Sequence, residues 1–203
     1  MARLLLVRHG HVDGIDPPRF RGRRDVPLSE QGRRQARAVA ACIGAEWQPG
    51  AIYTSPLARC VQTAAEIGSA CSLAPLALPD LTDLDYGAWE WKTHAEVRAE
   101  SPELYERWFA APQLVRFPQG ESVQDLIARV ANVLRLVLAR HATDTVVLVG
   151  HDSGIRALLL QLLDQPICAY WHLAPQPASL SEAEIGAGKV QVLSLNETRH
   201  LRK

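Results

Sequence analysis

The apolar residues of this chain fall into two kinds of pattern. Unbroken runs, "LLLV" at 4–7 and "VVLV" at 146–149, predict strands buried on both faces, because a half-buried strand would alternate. Stretches with apolar positions three and four apart predict amphipathic helices. In "LSEQGRRQARAVAACIGA", Ala36, Val39, Ala40 and Ile43 share one stripe behind Ser29 as N-cap. "AIYT" predicts a further strand, and Ser55-Pro56 then reads as N-cap plus first-turn proline opening the helix "LARCVQTAAEIGSA". The proline in "LAPLAL" limits that run to a short or edge strand.

From Asp80 the pattern turns irregular. "LTDLDYGAWEWK" is a loop rich in aromatics and acids, Thr93 with Glu96 forms a capping box, and Ser101-Pro102 opens a short helix through Phe109. "PQGES" breaks the chain before the amphipathic segment "VQDLIARVANVLRLVLARH". "TVVLVG" is the clearest buried strand, followed by "HDSG" and the helix "IRALLLQLL". "ASLSEAEI" and "KVQVLSLN" flank Gly186-Ala187-Gly188 and predict a hairpin. Strands and helices alternate, which argues for one α/β domain over 1–203 with a mostly parallel central sheet. Residues 88–120 read as a helical insertion over that sheet, and there is no internal repeat or low-complexity linker.

Composition narrows the function classes. The 203 residues are 47% hydrophobic and 22% charged, an ordinary globular balance. Lys plus Arg equals Asp plus Glu at 22 each, so no global field recruits nucleic acid or an anionic membrane. Basic charge is instead local, in "RFRGRRD" and "GRRQAR", where a solvated helix face or a small anionic ligand would account for it. No apolar stretch is long enough to span a bilayer or act as a secretory signal, so the cytoplasm is the expected compartment. Cys42, Cys60, Cys71 and Cys168 form no CxxC pair and read as reduced, mostly buried thiols. No heptad or exposed apolar helix sets an oligomeric state.

The candidate chemistry lies where two predicted strands end alike, "LLLV-RHG" and "VVLV-GH". Each delivers a histidine at a carboxyl end, the place where open α/β sheets bind ligands. Arg59, in the first turn of its predicted helix, points a guanidinium and free amides at the same kind of target, an anion. A lone His or Arg at a strand end is usually structural. Arg8, His9, Arg59 and His151 converging on one spot make a phosphate pocket.

The ordered set "LLLVRHG", "RFRGRRDVPLSEQG", "YTSPLARCVQTA", "LTDLDYGAWE", "PQGES", "VVLVGHDSGIRALL" and "LNETRHL" resembles the histidine phosphatase superfamily over nearly the whole chain. The resemblance implies a three-layer αβα sandwich and a phosphohistidine mechanism. His9 would be the nucleophile, with its second ring nitrogen held protonated by a backbone carbonyl. Arg8, Arg59 and His151 would bind the non-bridging oxygens, in place of a divalent metal; no cofactor or metal is expected. The family's general acid is usually a glutamate in Leu-x-Glu-x-x-x-Gly, and "LTDLDYG" sets Asp83 there, one methylene shorter. Asp85 and Asp152 compete for the role. Asp152 follows His151 directly, and Asp85 reads rather as a loop carboxylate satisfied by backbone amides.

Departures from the family bear on substrate. His11, Val12 and Ile15 replace residues that usually offer hydroxyl and amide contacts to phosphate. Phe20-Arg21-Gly22 replaces Phe-Gln-Gly, and Arg21 would either favour a substrate with a second negative charge or sit in a solvated loop. Trp89, Trp91, Tyr105 and Trp108 read as a small core of the insertion or as a lid. The expected activity is metal-independent hydrolysis of a small soluble phosphate ester. Its rivals are a phosphoglycerate mutase, which carries a longer insertion than 88–120, and a catalytically silent phosphate-binding protein.

Overall fold

The protein is described by a computed structural model covering residues 1–186 and 188–202. Strands and helices alternate as β1 (Ala2–Arg8), α1 (Glu30–Glu46), β2 (Pro49–Thr54), α2 (Ala58–Cys71), β3 (Leu76–Ala77), α3 (His94–Glu100), α4 (Pro102–Ala110), α5 (Val123–Arg140), β4 (Thr145–Gly150), α6 (Asp152–Leu162), β5 (Leu180–Gly186) and β6 (Lys189–Glu197). The sheet runs β3-β2-β4-β1-β5-β6. Its first four strands are parallel, and the β5–β6 hairpin adds to β1 antiparallel. The expected hairpin is therefore present, although Ala187 of its turn lies outside the described residues. The proline-containing run supplies only two residues of edge strand, as its missing amide requires.

Side-chain alternation along β1 and β4 builds two cores. Leu5, Val7, Val147 and Val149 pack with Val39 and Ile43 of α1 and Ala64 and Ile67 of α2 on one face. Leu4, Leu6, Val146 and Leu148 pack with α5 and α6 on the other. Both faces are covered, which is why these strands carry unbroken apolar runs, and the result is the three-layer αβα sandwich. Among the described residues no helix is long and apolar enough to cross a membrane.

The 88–120 segment joins the second core. Trp89 and Trp108 are buried there with Phe117 and Tyr170, so these tryptophans are core. Trp91 is different: its ring lies under Arg24 and Arg19, at 4.8 and 5.5 Å. The backbone of 91–93 pairs with the loop after β1, Trp91 N–H donating to Phe20 O at 2.6 Å and Phe20 N–H to Lys92 O at 3.0 Å. Of the cysteines only Cys60 is buried; Cys168 is exposed and the other two are half-buried, so burial is not what they share.

Ser29 caps α1 as expected, its hydroxyl accepting from Gly32 N–H. Gly32 also lets the first turn of α1 meet the strand-end loop backbone to backbone. A Cβ there would lie 2.0 Å from His11 O, and one on Gly10 2.4 Å from Gly32 O. Gly32→Ala should therefore destabilise the fold by about 1–3 kcal/mol, the usual cost of overpacking. Urea unfolding with an unchanged m-value would measure it, and a neutral result would contradict the contact.

Candidate active site

β1 and β4 are parallel neighbours with Arg8 opposite Gly150. The next residue in each is a histidine, so His9 and His151 leave adjacent strands at the same level. His9 N–H donates to Gly150 O at 2.9 Å. The helices that follow, α1 and α6, cover opposite faces of the sheet, so the site lies between them at the carboxyl end of the central strands. The two rings meet edge to face, centroids 5.3 Å apart.

His9 is buried, and its Nδ1 lies 2.7 Å from Gly10 O. A carbonyl only accepts, so Nδ1 carries the ring proton and Nε2 keeps its lone pair. Burial holds this imidazole well below the ordinary histidine value of 6.5, and Arg59, His151 and Arg8 push the same way against the Gly10 carbonyl. The product is a neutral ring in one tautomer among cations.

Arg59 occupies the first turn of α2 and is completely buried. Its Nε donates to His151 Nδ1 at 3.1 Å, Nη1 to Arg24 O at 2.8 Å, and Nη2 to Gly22 O at 2.7 Å and Asp83 Oδ2 at 3.1 Å. Most of its donors thus bind the chain itself and tie the basic loop to Asp83 and His151. His151 Nδ1 accepts, which leaves the proton on Nε2, 2.8 Å from Ser55 Oγ. Burial and then Arg59, Arg129, Arg8 and Arg21 depress His151 far below its ordinary value as well.

The start of α2 differs from expectation. Its N-cap is Leu57, with no side-chain cap, and the Ala58 amide donates to Asp25 Oδ1 at 2.7 Å. Asp25 thereby occupies an amide expected to face a ligand, and the Ser55 hydroxyl meets His151 and accepts from Leu57 N–H at 3.3 Å, one residue ahead of the helix's first turn.

Asp83 is 7% exposed. Its Oδ1 accepts from Leu84 N–H at 2.9 Å and from the Ser153 hydroxyl, while Oδ2 faces Arg59 and lies 3.5 Å from His151 Nδ1. Asp152 is turned toward other partners: Oδ2 accepts from Arg156 Nε at 2.9 Å, and Oδ1 lies 3.3 Å from Arg8 Nη1. Arg8 Nη1 also donates to Pro175 O at 2.6 Å, leaving Arg8 Nε buried without a partner among the described residues. Asp85 is a loop carboxylate, accepting from Gly87 N–H at 2.9 Å and paired with Arg23 at 3.3 Å.

Arg21 is half-buried, donates from Nη1 to Gly14 O at 2.7 Å, and has a buried Nε with no partner among the described residues. Burial, and Arg8 beside it, pull its pKa below the usual guanidinium value. Its hydrogen bonds hold its own loop, to Gly14 O and Arg19 O, while its Nε is shielded from solvent. His11 stays a loop residue, with Nδ1 2.8 Å from Ser29 Oγ.

Arg8, Arg21 and Arg59 therefore lie about two neutral histidines, against the carboxyl group of Asp83 and the Asp152 carboxylate, the latter shared with Arg156. The pocket is short of negative charge, and a phosphoryl dianion fits that deficit. Ser55, Ser153, Asp25 and the pair Glu121–Arg129 also belong to this network, and sequence reading assigned none of them a role in the site. Ser55 read as a helix cap, while Asp25, Glu121 and Ser153 stood only inside quoted motifs; the partner of Glu121 is eight residues on, across a helix start.

The histidine phosphatase superfamily (branch 1) profile matches residues 4–198. Phosphoserine phosphatase 1 of Hydrogenobacter thermophilus is 34% identical over 201 residues, 99% of this chain and 95% of its own length. A probable phosphoglycerate mutase of Yersinia enterocolitica is 30% identical over 207 residues, 99% of this chain and 95% of that one. The solved mycobacterial glucosyl-3-phosphoglycerate phosphatase superposes with a TM-score of 0.89 at 29% identity, covering 97% of this chain and 99% of that one. Against mycobacterial relatives that are 35% identical, the chain spans 55% of their length.

Proposed function

The chain belongs to the histidine phosphatase superfamily and is a phosphatase of small phosphate esters; we propose that it works through a covalent phosphohistidine on His9. The observation that carries this reading is the neutral His9 ring, its Nδ1 proton committed to Gly10 O and its Nε2 lone pair free inside a cationic pocket. Binding an anion does not require that arrangement, and a nucleophile does.

In the first half-reaction Nε2 attacks phosphorus, the P–O ester bond breaks, and Asp83 gives its proton to the departing alkoxide. In the second, water attacks phosphorus, the P–N bond breaks, Asp83 takes the water proton, and orthophosphate leaves. Arg8, Arg59 and His151 flank the non-bridging oxygens, whose charge they stabilise as it redistributes. Asp152 keeps Arg8 in place through its own pair with Arg156.

Arg21 brings a second anionic group of the substrate to the same pocket, and a phosphorylated hydroxy or amino acid supplies one. The names of the two phosphatase relatives, phosphoserine and glucosyl-3-phosphoglycerate phosphatase, agree with that class. Hydrolysis of a phosphate-ester panel in the presence of chelator tests the whole reading. Orthophosphate should be released from phosphoserine or 3-phosphoglycerate with no dependence on added bisphosphate. Transfer to a second carbon, needing bisphosphate, would instead make the protein a mutase. Arg21→Gln should raise KM for carboxylate-bearing esters roughly 10- to 100-fold, the scale of a hydrogen bond to a charged group, and for an aryl monoester far less. Equal changes on both would remove Arg21 from substrate selection.

A further inference from the structure

Asp83 reaches the pocket on a shorter arm than the glutamate usual at its position, so the placement of its backbone matters more. That backbone is gripped from outside the pocket. Arg129, two turns into α5, donates from Nη1 to Asp80 O at 2.8 Å and Thr82 O at 2.6 Å, and from Nη2 to Asp83 O at 2.9 Å. Its Nε and Nη2 also meet Glu121 Oε1 and Oε2, each at 3.0 Å. All five N–H groups of the guanidinium are then used, three of them on carbonyls of the loop that carries Asp83.

Glu121 holds the far side of that loop. Its Oε2 accepts from Asp85 N–H at 3.1 Å, and its own N–H donates to Asp85 O at 3.0 Å. Its Oε1 accepts from Arg23 Nη2 at 2.6 Å, which links the clamp to the basic loop whose carbonyls hold Arg59. The Arg129 and Glu121 side chains are only 14% and 16% exposed, so this ion pair is shielded from solvent more than a surface pair.

We propose that Arg129 and Glu121 are positioning residues for the proton donor, a planar fork and carboxylate that fix residues 80–85 so that the short Asp83 side chain meets the leaving oxygen. The proposal rests on Asp83 being that donor. Neither residue touches substrate. The fork geometry is essential, because a lysine ammonium at 129 offers three donors from a point and cannot span three carbonyls and a carboxylate at once.

The effect should appear in the leaving-group dependence of the rate. Arg129→Lys and Glu121→Gln should each lower kcat for an alkyl phosphate such as phosphoserine by roughly 10- to 100-fold, the cost of about 1 Å of misplacement. KM should move little, and p-nitrophenyl phosphate, whose phenolate needs little protonation, should be far less affected. Because the two residues act as one unit, the double variant should be no slower than the slower single. Equal losses on both esters, a change confined to KM, or multiplied losses in the double variant would overturn the proposal. Should Arg129→Lys not fold, as its thermal melt would show, the nearly isosteric Glu121→Gln decides alone. Asp83→Asn is measured alongside. A leaving-group effect there but not in the clamp variants removes the clamp only; its absence in all of them removes Asp83's role and the clamp's together.

Discussion

His9→Ala should eliminate turnover, by a factor on the order of a million, the scale seen when a covalent nucleophile is removed from a preorganised site. Nothing else in the crevice can replace it. His151 has its one lone pair, on Nδ1, taken by Arg59 and carries its proton on Nε2, and burial pushes the Cys60 thiol far up, away from its nucleophilic thiolate form. Wild-type enzyme quenched during turnover of labelled substrate should carry the label on histidine, in a bond labile to acid and stable to base. Label on cysteine, serine or aspartate would end the mechanism proposed for His9. A thermal melt of the variant separates lost chemistry from lost fold.

The same residue governs pH dependence. The reactive form of His9 is neutral, and its pKa lies well below 6.5 because of burial and then Arg59, His151 and Arg8. The acidic limb of kcat/KM should therefore fall below the ordinary histidine range, with activity persisting under pH 6. Stability follows from the same depression. As pH falls through about 6.5, the unfolded chain binds protons that buried His9 and His151 refuse, so the native state loses stability progressively on the acid side. His9→Ala removes one of these groups and should flatten that loss. A kcat/KM limb centred at or above pH 6.5 would show that the folded protein does not hold His9 neutral.

The elements legible in the sequence were those whose signals are local. Two unbroken apolar runs marked the central strands because both faces of that sheet are covered, and Ser29 and the Thr93–Glu96 box marked helix starts because a cap is satisfied within one turn. Arg8, His9 and His151 could be picked out because each directly follows or ends such a strand. What brings them together, the Arg8–Gly150 register, joins residues far apart in sequence and has no local trace. Ser55 was misread for a related reason. A serine before a proline at a strand–helix junction looks the same whether its hydroxyl caps the helix or meets a histidine 96 residues away. The partner of the first α2 amide, Asp25, lies 33 positions from Ala58. Arg21 could be read either way from sequence, since only burial and the nearby Arg8 separate a pocket cation from a solvated one.

Asp83→Asn should slow hydrolysis of an alkyl phosphate by roughly 100- to 10,000-fold, the range for loss of a positioned acid. The variant keeps the contacts of Oδ1, since an amide oxygen can still accept from Leu84 N–H and the Ser153 hydroxyl, but its NH2 group meets the Arg59 Nη2 donor that Oδ2 accepts from, so a thermal melt accompanies the assay. What it cannot do is deliver a proton to a basic alkoxide. On p-nitrophenyl phosphate, where the leaving phenolate is stabilised, the loss should be much smaller and phosphohistidine should still form. Asp152→Asn should behave otherwise. That carboxylate is committed to Arg156 and Arg8, and in the proposed mechanism Arg8 acts on the phosphoryl oxygens whatever the leaving group. Its loss should therefore slow both esters by similar factors. A leaving-group-dependent loss in Asp152→Asn, with similar factors on both esters in Asp83→Asn, would exchange the two roles and place the acid beside His151.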